Sequence, residues 1–133
     1  NRGEILKEVT IPRAGSGKGS AFAKYGQTAL DWAVLNCAAS LQVDDEGIVR
    51  DARVFAGGKG VDITSPQESA EALTGAGFSD RVVERACEEM ALALPAVSDT
   101  RGSAAFKRYT IKRLLREALG TAYRRAVTPW ASR

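Results

Sequence analysis

The sequence predicts an α+β fold, a small antiparallel sheet of three to four strands followed by three helices packed on one face. Strand-like patterns occur only before residue 65, and helix start signals with helical apolar spacing occur only after it. A run of strands followed by a run of helices favours α+β over an alternating α/β arrangement. The length of 133 residues, with 44% hydrophobic and 26% charged residues, predicts a single globular domain over residues 1–133.

The first strands are predicted from alternation. Residues 4–11 place Ile5, Val9 and Ile11 on one side and end at Pro12, which is typical of a strand end. A loop rich in glycine and serine follows. We then expect a short strand over residues 22–25.

A hairpin is predicted next. The long apolar run over residues 31–43 leads into the acidic turn 44–47, which ends in glycine, and residues 48–55 then alternate. The nearly continuous apolar character of the first run suggests a central strand. Residues 57–60, Gly-Gly-Lys-Gly, are expected to end the hairpin where the chain turns or approaches another backbone closely.

The first helix is predicted from its start signals. Ser65 and Glu68 have the spacing of a capping box, with Pro66 between them at the first helical position. This helix should run to about Leu73 and stop at Gly75.

Two longer helices follow. The second is expected to be capped by Ser79 and ended by Pro95, and the third to begin near Ser103. The tail over residues 127–133 is expected to be irregular because it contains Pro129. The apolar residues of the third helix have helical spacing and should face the core: Ile111, Leu114, Leu115, Ala118, Leu119 and Ala122.

Composition excludes several kinds of chemistry. Without histidine, Ser-His and Cys-His nucleophile pairs are impossible, and two cysteines cannot complete a closed zinc site. We therefore assign no metal and no catalytic residue. Cys37 and Cys87 are interpreted as buried thiols in a reducing cytoplasm, with a disulfide as the alternative. Asp31 is interpreted as a turn or cap residue rather than a catalytic acid.

The charge is uneven. Residues 101–133 carry nine Lys or Arg and one acid, a net charge of +8, whereas residues 1–100 carry a net charge of −5. The basic segment is either a solvated helix face neutralised by the rest of the fold or a surface for a protein partner. Nucleic acid is disfavoured because no aromatic residues alternate with the charges as stacking platforms.

No apolar run is long enough to cross a bilayer, and the start shows no signal-peptide pattern. The chain begins with Asn1 rather than Met, which indicates processing, trimming or a piece of a larger polypeptide.

Several short motifs in order resemble the C-terminal domain of the flavoprotein subunit of molybdenum hydroxylases, the family of carbon monoxide dehydrogenase and xanthine dehydrogenase. The likeness covers nearly the whole chain, and its opening residues look like the joint after an FAD-binding domain. The motifs are Phe22-x-Lys24, Asp31-Trp32-Ala33, Gly57-Gly58, Glu71-x-Leu73-x-Gly75 and Asp99-x-Arg101-Gly102-Ser103-x-x-Phe106-Lys107-Arg108.

The resemblance implies a domain that is not catalytic on its own and that covers the FAD of a neighbouring, upstream domain. In such oxidoreductases the flavin takes electrons from an iron–sulfur subunit and passes them to an acceptor, and molybdopterin lies on a third subunit. The motif lysine approaches the flavin in this family. Lys24 is therefore the candidate cofactor-binding residue, with an exposed surface lysine as the alternative.

Three departures and two alternatives accompany the resemblance. Gln27 and Thr28 stand where the family often has an arginine, and the loop after Gly58 looks longer or more polar than usual. The FAD-binding domain is absent from this chain, and no loop here has the spacing of a phosphate grip, so we expect no tight FAD binding by the chain alone. The alternative function is a free-standing interaction domain without a flavin role. Arg101 is expected either to pair with Asp99 or to serve a subunit interface.

Overall fold

The computed structural model describes residues 3–11, 15–28 and 30–128, and it confirms the α+β prediction. Within these residues the strands form one antiparallel sheet in the order β1-β2-β3-β4, and the helices follow the strands in the sequence. The elements are β1 (Lys18–Tyr25), β2 (Leu35–Val43), β3 (Val49–Gly58), β4 (Val61–Thr64), α1 (Gln67–Glu71), α2 (Asp80–Ala93) and α3 (Ala104–Val127).

The sheet has one covered face and one open face. Along β1, Ala21 and Ala23 are buried while Phe22 and Lys24 are exposed, as expected from the two-residue period of a strand. Helix α3 packs on β1 and β2, α2 packs on α3, and α1 contacts both α2 and β3. The core therefore lies between the sheet and the helices.

The β2–β3 turn is held by Asp44. Its carboxylate accepts hydrogen bonds from the backbone N–H of Ile48 at 2.8 Å and of Glu46 at 3.1 Å, and Arg50 donates to it at 2.6 Å. The Ile48 bond is the main reason why the pKa of Asp44 lies below its usual value. The predicted acidic hairpin turn is thus confirmed with its physical cause.

The predicted strand over residues 4–11 is wrong. These residues belong to no strand, and Ile5 and Ile11 are 91% and 86% exposed. Alternation only specifies a strand where a partner strand and a covering layer are available. In the described sheet, β1 already pairs with β2 and occupies the edge, so the alternating segment lies outside it.

The hairpin ends within residues 57–60 as expected, but a fourth strand follows it. Gly57 and Gly58 lie inside β3, and the following turn leads into β4 rather than into a loop. A side chain at Gly58 is excluded by packing, because its Cβ would lie 2.2 Å from the backbone oxygen of Val34. Both alternatives for the glycines are found: Gly58 approaches the backbone of Val34 closely, and Gly60, in the turn, has a φ of +73°.

The capping box at the first helix is wrong. The Ser65 hydroxyl donates to the backbone oxygen of Val54 at 2.7 Å instead of capping the helix. Pro66 is the N-cap residue rather than the first helical residue, and α1 ends at Glu71, before the expected Leu73. A tertiary hydrogen bond to β3 has therefore replaced the local one.

The two longer helices agree with the predictions. Ser79 and Ser103 are the N-cap residues of α2 and α3, and the Ser103 hydroxyl accepts from the Phe106 N–H at 3.1 Å. Helix α2 ends before Pro95. Val127 is still helical, and the tail predicted after it lies mostly outside the described residues. All six predicted core residues of α3 are buried.

Thiols and charges follow the simpler interpretations. Cys37 and Cys87 are free and buried, and burial raises the pKa of each to about 12. On α3, Lys112 pairs with Glu88 of α2 at 2.6 Å, and Arg116 pairs with Glu84. Acidic residues of α2 thus neutralise part of the basic helix. In the described part of the chain, no helix is long and apolar enough to span a membrane, and no cluster of potential ligands could hold a metal.

Candidate functional site

Lys24 lies near the end of β1 on the open face of the sheet. It is opposite Asn36 of β2, and its ammonium donates to the backbone oxygen of Asp31 at 2.9 Å. This contact anchors a long and otherwise mobile side chain beside the β1–β2 loop. The predicted site residue is therefore held at one end of the sheet.

The β1–β2 loop is shaped by local hydrogen bonds. The Asp31 carboxylate accepts from the Thr28 N–H at 3.1 Å, which confirms Asp31 as a turn residue. The Val34 N–H donates to the Tyr25 oxygen at 2.8 Å and closes the base of the loop. The Asp31 carbonyl is thereby positioned to receive the Lys24 ammonium.

A small polar pocket of about 170 Å³ opens beside this loop. The Lys59 ammonium lies 5.4 Å from the centre of the Trp32 ring, within the range of a cation–π contact. The Lys59 N–H also donates to the Ala33 oxygen at 3.1 Å, which joins the β3–β4 turn to the loop. The pocket is lined by Gln27, Asp31, Trp32, Val34, Lys59 and Arg101.

The loop before α3 supplies Arg101 and is built around Asp99. One carboxylate oxygen of Asp99 accepts from the Arg101 N–H at 2.9 Å, and the other lies 2.8 Å from the Lys107 ammonium. Lys107 is fully buried and also donates to the Val97 oxygen at 2.8 Å. The hydrogen bond from Lys107, followed by that from Arg101, lowers the pKa of Asp99.

Arg101 was predicted to pair with Asp99 or to serve an interface. The bond to Asp99 is made by the Arg101 backbone, while Lys107 takes the place expected for the guanidinium. Arg101 is also one of the residues that line the pocket. The Asp99 carboxylate thus fixes the position of the Arg101 backbone beside the pocket.

Gly102 completes this loop. Its φ of +152° is one that residues with side chains rarely adopt, and a Cβ there would lie 2.7 Å from the Phe106 ring. Phe106 in turn meets Tyr25 of β1 edge to face at 5.8 Å. The motif from Asp99 to Lys107 is therefore a structural clamp that ties the start of α3 to the end of β1.

The open face carries a line of apolar residues across three strands. Phe22, Ala38 and Phe55 are in register, and we call them the apolar strip. Phe22 is 65% exposed and Phe55 44%. A shallow groove of about 520 Å³ follows the strip and is bordered by Arg53 and Arg125.

Sequence reasoning missed two parts of the site. Lys59 and Trp32 come from different loops, and no local pattern connects them. Lys107 did carry a signal, because it precedes Thr110, Ile111 and Leu114 with helical spacing and so lies on the buried side of α3. A lysine at that buried position requires an ionic or hydrogen-bond partner, and Asp99 is its ionic partner.

The site offers hydrogen-bond donors and positive charge. Lys24, Lys59 and Arg101 surround it, whereas Asp31 is the acid among the pocket-lining residues that the structure describes. Among the described lining residues, no second carboxylate accompanies Asp31 as acid–base chemistry by a carboxylate pair would need. A ligand with acceptor atoms or negative charge fits such a donor set.

Comparisons with known proteins find one matching family model and several similar proteins. The sequence profile of the CO dehydrogenase flavoprotein C-terminal domain matches residues 20–122. The chain is 27% identical over 124 residues to the 6-hydroxypseudooxynicotine dehydrogenase complex subunit alpha, and 29% over 116 residues to the nicotine 6-hydroxylase medium subunit, both of Paenarthrobacter nicotinovorans. These matches cover 93% and 87% of the chain, but only 42% and 40% of the relatives.

Solved structures share the fold. A chain of carbon monoxide dehydrogenase from Hydrogenophaga pseudoflava has a TM-score of 0.78 at 24% identity, with 86% of this chain and 40% of that chain covered. A chain of the Oligotropha carboxidovorans enzyme gives 0.77 at 23% identity, with 87% and 40% covered. A chain of quinoline 2-oxidoreductase from Pseudomonas putida 86 gives 0.75 at 21% identity, with 84% and 39% covered.

Proposed function

This chain belongs to the family of CO dehydrogenase flavoprotein C-terminal domains, and from that premise we propose that it covers the FAD of a neighbouring domain in a redox subunit. The observation that carries the proposal is the placement of Lys24, whose ammonium is fixed at the end of the sheet by the Asp31 carbonyl. As a single domain of an oxidoreductase, the chain acts on the flavin from outside and supplies no catalytic group.

The described residues fit one edge of a flavin. The pyrimidine edge of the isoalloxazine ring presents carbonyl oxygens and ring nitrogens that accept hydrogen bonds. Lys24 and Gln27 offer matching donors. Pockets that enclose a drug-sized ligand measure about 300–1,000 Å³, so the pocket of about 170 Å³ suits a cover rather than a complete cofactor site.

The role of this chain is electrostatic. When bound, FAD would carry electrons from an iron–sulfur subunit to an acceptor, in a complex whose molybdopterin lies on a third subunit. A fixed ammonium near the ring favours negative charge there and so raises the reduction potential. The Asp31 carbonyl keeps Lys24 in place, so little side-chain ordering is needed when the domains meet.

Docking of partner subunits is assigned to the apolar strip. Phe22 and Phe55 are large, aligned and exposed on the face that the helices leave open. Aromatic residues of this kind are enriched at protein interfaces. The iron–sulfur and molybdopterin subunits of the complex are the proposed partners, and the free buried thiols are consistent with assembly in the cytoplasm.

Lys24→Ala in the complete flavoprotein is expected to lower the flavin reduction potential by about 30 mV, which is a tenfold change for a two-electron couple. The fold should be unaffected because Lys24 is exposed. Potentiometric titration of the purified flavoprotein measures the shift. Lys18→Ala is the matched control, since Lys18 is an exposed lysine at the opposite end of the same strand. An unchanged potential in the Lys24 variant, or an equal shift in the control, contradicts the proposal.

A free-standing interaction domain is the second candidate, because the apolar strip would serve any protein partner. The two candidates differ at Lys24. An interaction domain gives Lys24 no electronic role, and its binding would depend on Phe22 and Phe55 alone.

A further inference from the structure

We propose that Lys59 and Arg101 form a second cationic contact to the same flavin edge, with Trp32 holding Lys59 in place. This inference rests on the proposed function and extends it to residues from two other loops. The segment between β1 and β2, residues 26–34, contains no lysine or arginine. Further positive charge beside Lys24 comes from two other loops, because Lys59 and Arg101 line the same pocket as Asp31, whose carbonyl binds Lys24.

Arg101 is positioned by its backbone. Its N–H is bound to Asp99, and the buried Lys107 holds the other oxygen of that carboxylate. The loop is thus held by a backbone hydrogen bond and by Lys107, and the Arg101 charge adds a weaker attraction to the Asp99 carboxylate. An ion pair with one buried partner thus fixes the Arg101 backbone beside the pocket, and an arginine there can present a planar, multidentate donor.

Lys59 is positioned from two sides. Its N–H is bound to the Ala33 oxygen at 3.1 Å, and its ammonium lies over Trp32, whose side chain is 77% exposed. The indole ring restricts a flexible ammonium without neutralising its charge. Lys59 therefore remains available to a negative or acceptor-rich group at the pocket.

The charge balance favours such a group. The acid that lines the pocket, Asp31, accepts from the Thr28 N–H with its carboxylate and from Lys24 with its carbonyl. Two cations at the pocket and a third beside it exceed this single negative charge. The positively charged pocket thus complements the edge of the flavin ring on which negative charge accumulates when the flavin is reduced.

The test is the flavin reduction potential of the complete flavoprotein in three charge-removing variants, Arg101→Gln, Lys59→Gln and Lys24→Gln. We expect each to weaken binding of the reduced form relative to the oxidised form about tenfold, which lowers the potential by about 30 mV. Arg101→Lys should keep most of the wild-type potential because it keeps the charge. Arg113→Gln removes an exposed charge from the middle of α3 and should leave the reduction potential unchanged.

The outcomes separate the two proposals. If Lys24→Gln lowers the potential while Arg101→Gln and Lys59→Gln do not, this inference is overturned and the proposed function stands. If none of the three lowers it, both are overturned. An equal shift in Arg113→Gln would show a general charge effect and would also overturn the inference. Should Arg101→Gln disturb the loop in a thermal melt, Lys59→Gln decides, since it lies in a different turn.

Discussion

Leu115→Asp is expected to lower the free energy of unfolding by about 4 kcal/mol or more, enough to unfold much of the population of an ordinary domain. Leu115 is completely buried on the side of α3 that meets the core. The substitution removes an apolar side chain and places a carboxylate where it has no hydrogen-bond partner prepared for it. Urea unfolding followed by circular dichroism measures the loss.

Tyr109→Asp provides the matched control for this experiment. Tyr109 lies on the same helix and is 71% exposed, so the same charge enters the same element in water. Its cost should stay within about 1 kcal/mol, as for ordinary surface substitutions. Equal stability of the two variants would show that α3 does not bury the face assigned to it.

Lys107→Ala is expected to cost about 2–5 kcal/mol, the range for truncating a long buried side chain. The stem of Lys107 is packed inside the fold, and its ammonium donates to the Val97 oxygen and pairs with Asp99. Lys107→Met keeps most of the volume and removes only the ammonium, so it should lose less stability. Thermal melts of both variants separate the packing contribution from the hydrogen bonds.

The pH dependence of stability provides a second test of the Asp99–Lys107 pair. The pKa of Asp99 is lowered in the folded chain, so its contribution is fully present above the unfolded value near 3.8 and is lost as the pH falls through the lower folded value. Lys107 is the main cause of the shift. Lys107→Met should therefore flatten the loss of stability below about pH 4 relative to wild type, and an unchanged acid slope would contradict the assignment.

Helix α3 shows how far the sequence determines the structure. The spacing of Ile111, Leu114 and Leu115 predicted the buried face, and Ser103 predicted its start. Both signals are local and are reinforced by tertiary packing. The same spacing placed Lys107 on the buried side, so its burial was accessible from the pattern even though its partner was not.

Other elements depended on contacts that sequence order does not encode. Residues 4–11 alternate like a strand but lack a partner in the described sheet, and Ser65 bonds to Val54 of β3 instead of capping α1. In both places, contacts with neighbouring elements determine the local structure more strongly than local propensity does. Strand β4 was missed for a related reason, since the preceding glycines permit a turn but do not reveal the pairing after it.

The candidate site divides in the same way. Lys24 was identified through the family resemblance, and its position at the end of the sheet follows from β1. The pocket beside it was not predictable, because Trp32, Lys59 and Arg101 come from three loops that are far apart in the sequence and meet only in the folded chain. The charged motif from Asp99 to Lys107 has a structural role, because Asp99 binds both the Lys107 ammonium and the Arg101 backbone.

The central claim is that the end of the sheet beside the β1–β2 loop covers the flavin. Amide hydrogen exchange of the complete flavoprotein, compared with and without bound FAD, tests it most directly. We expect FAD to protect residues 24–28, 30–34, 57–60 and 99–103, and to leave the opposite β2–β3 turn at 44–47 unchanged. The isolated chain with added FAD should show no such protection, because it lacks a phosphate grip. Unchanged exchange in those four segments of the complete flavoprotein would contradict the account.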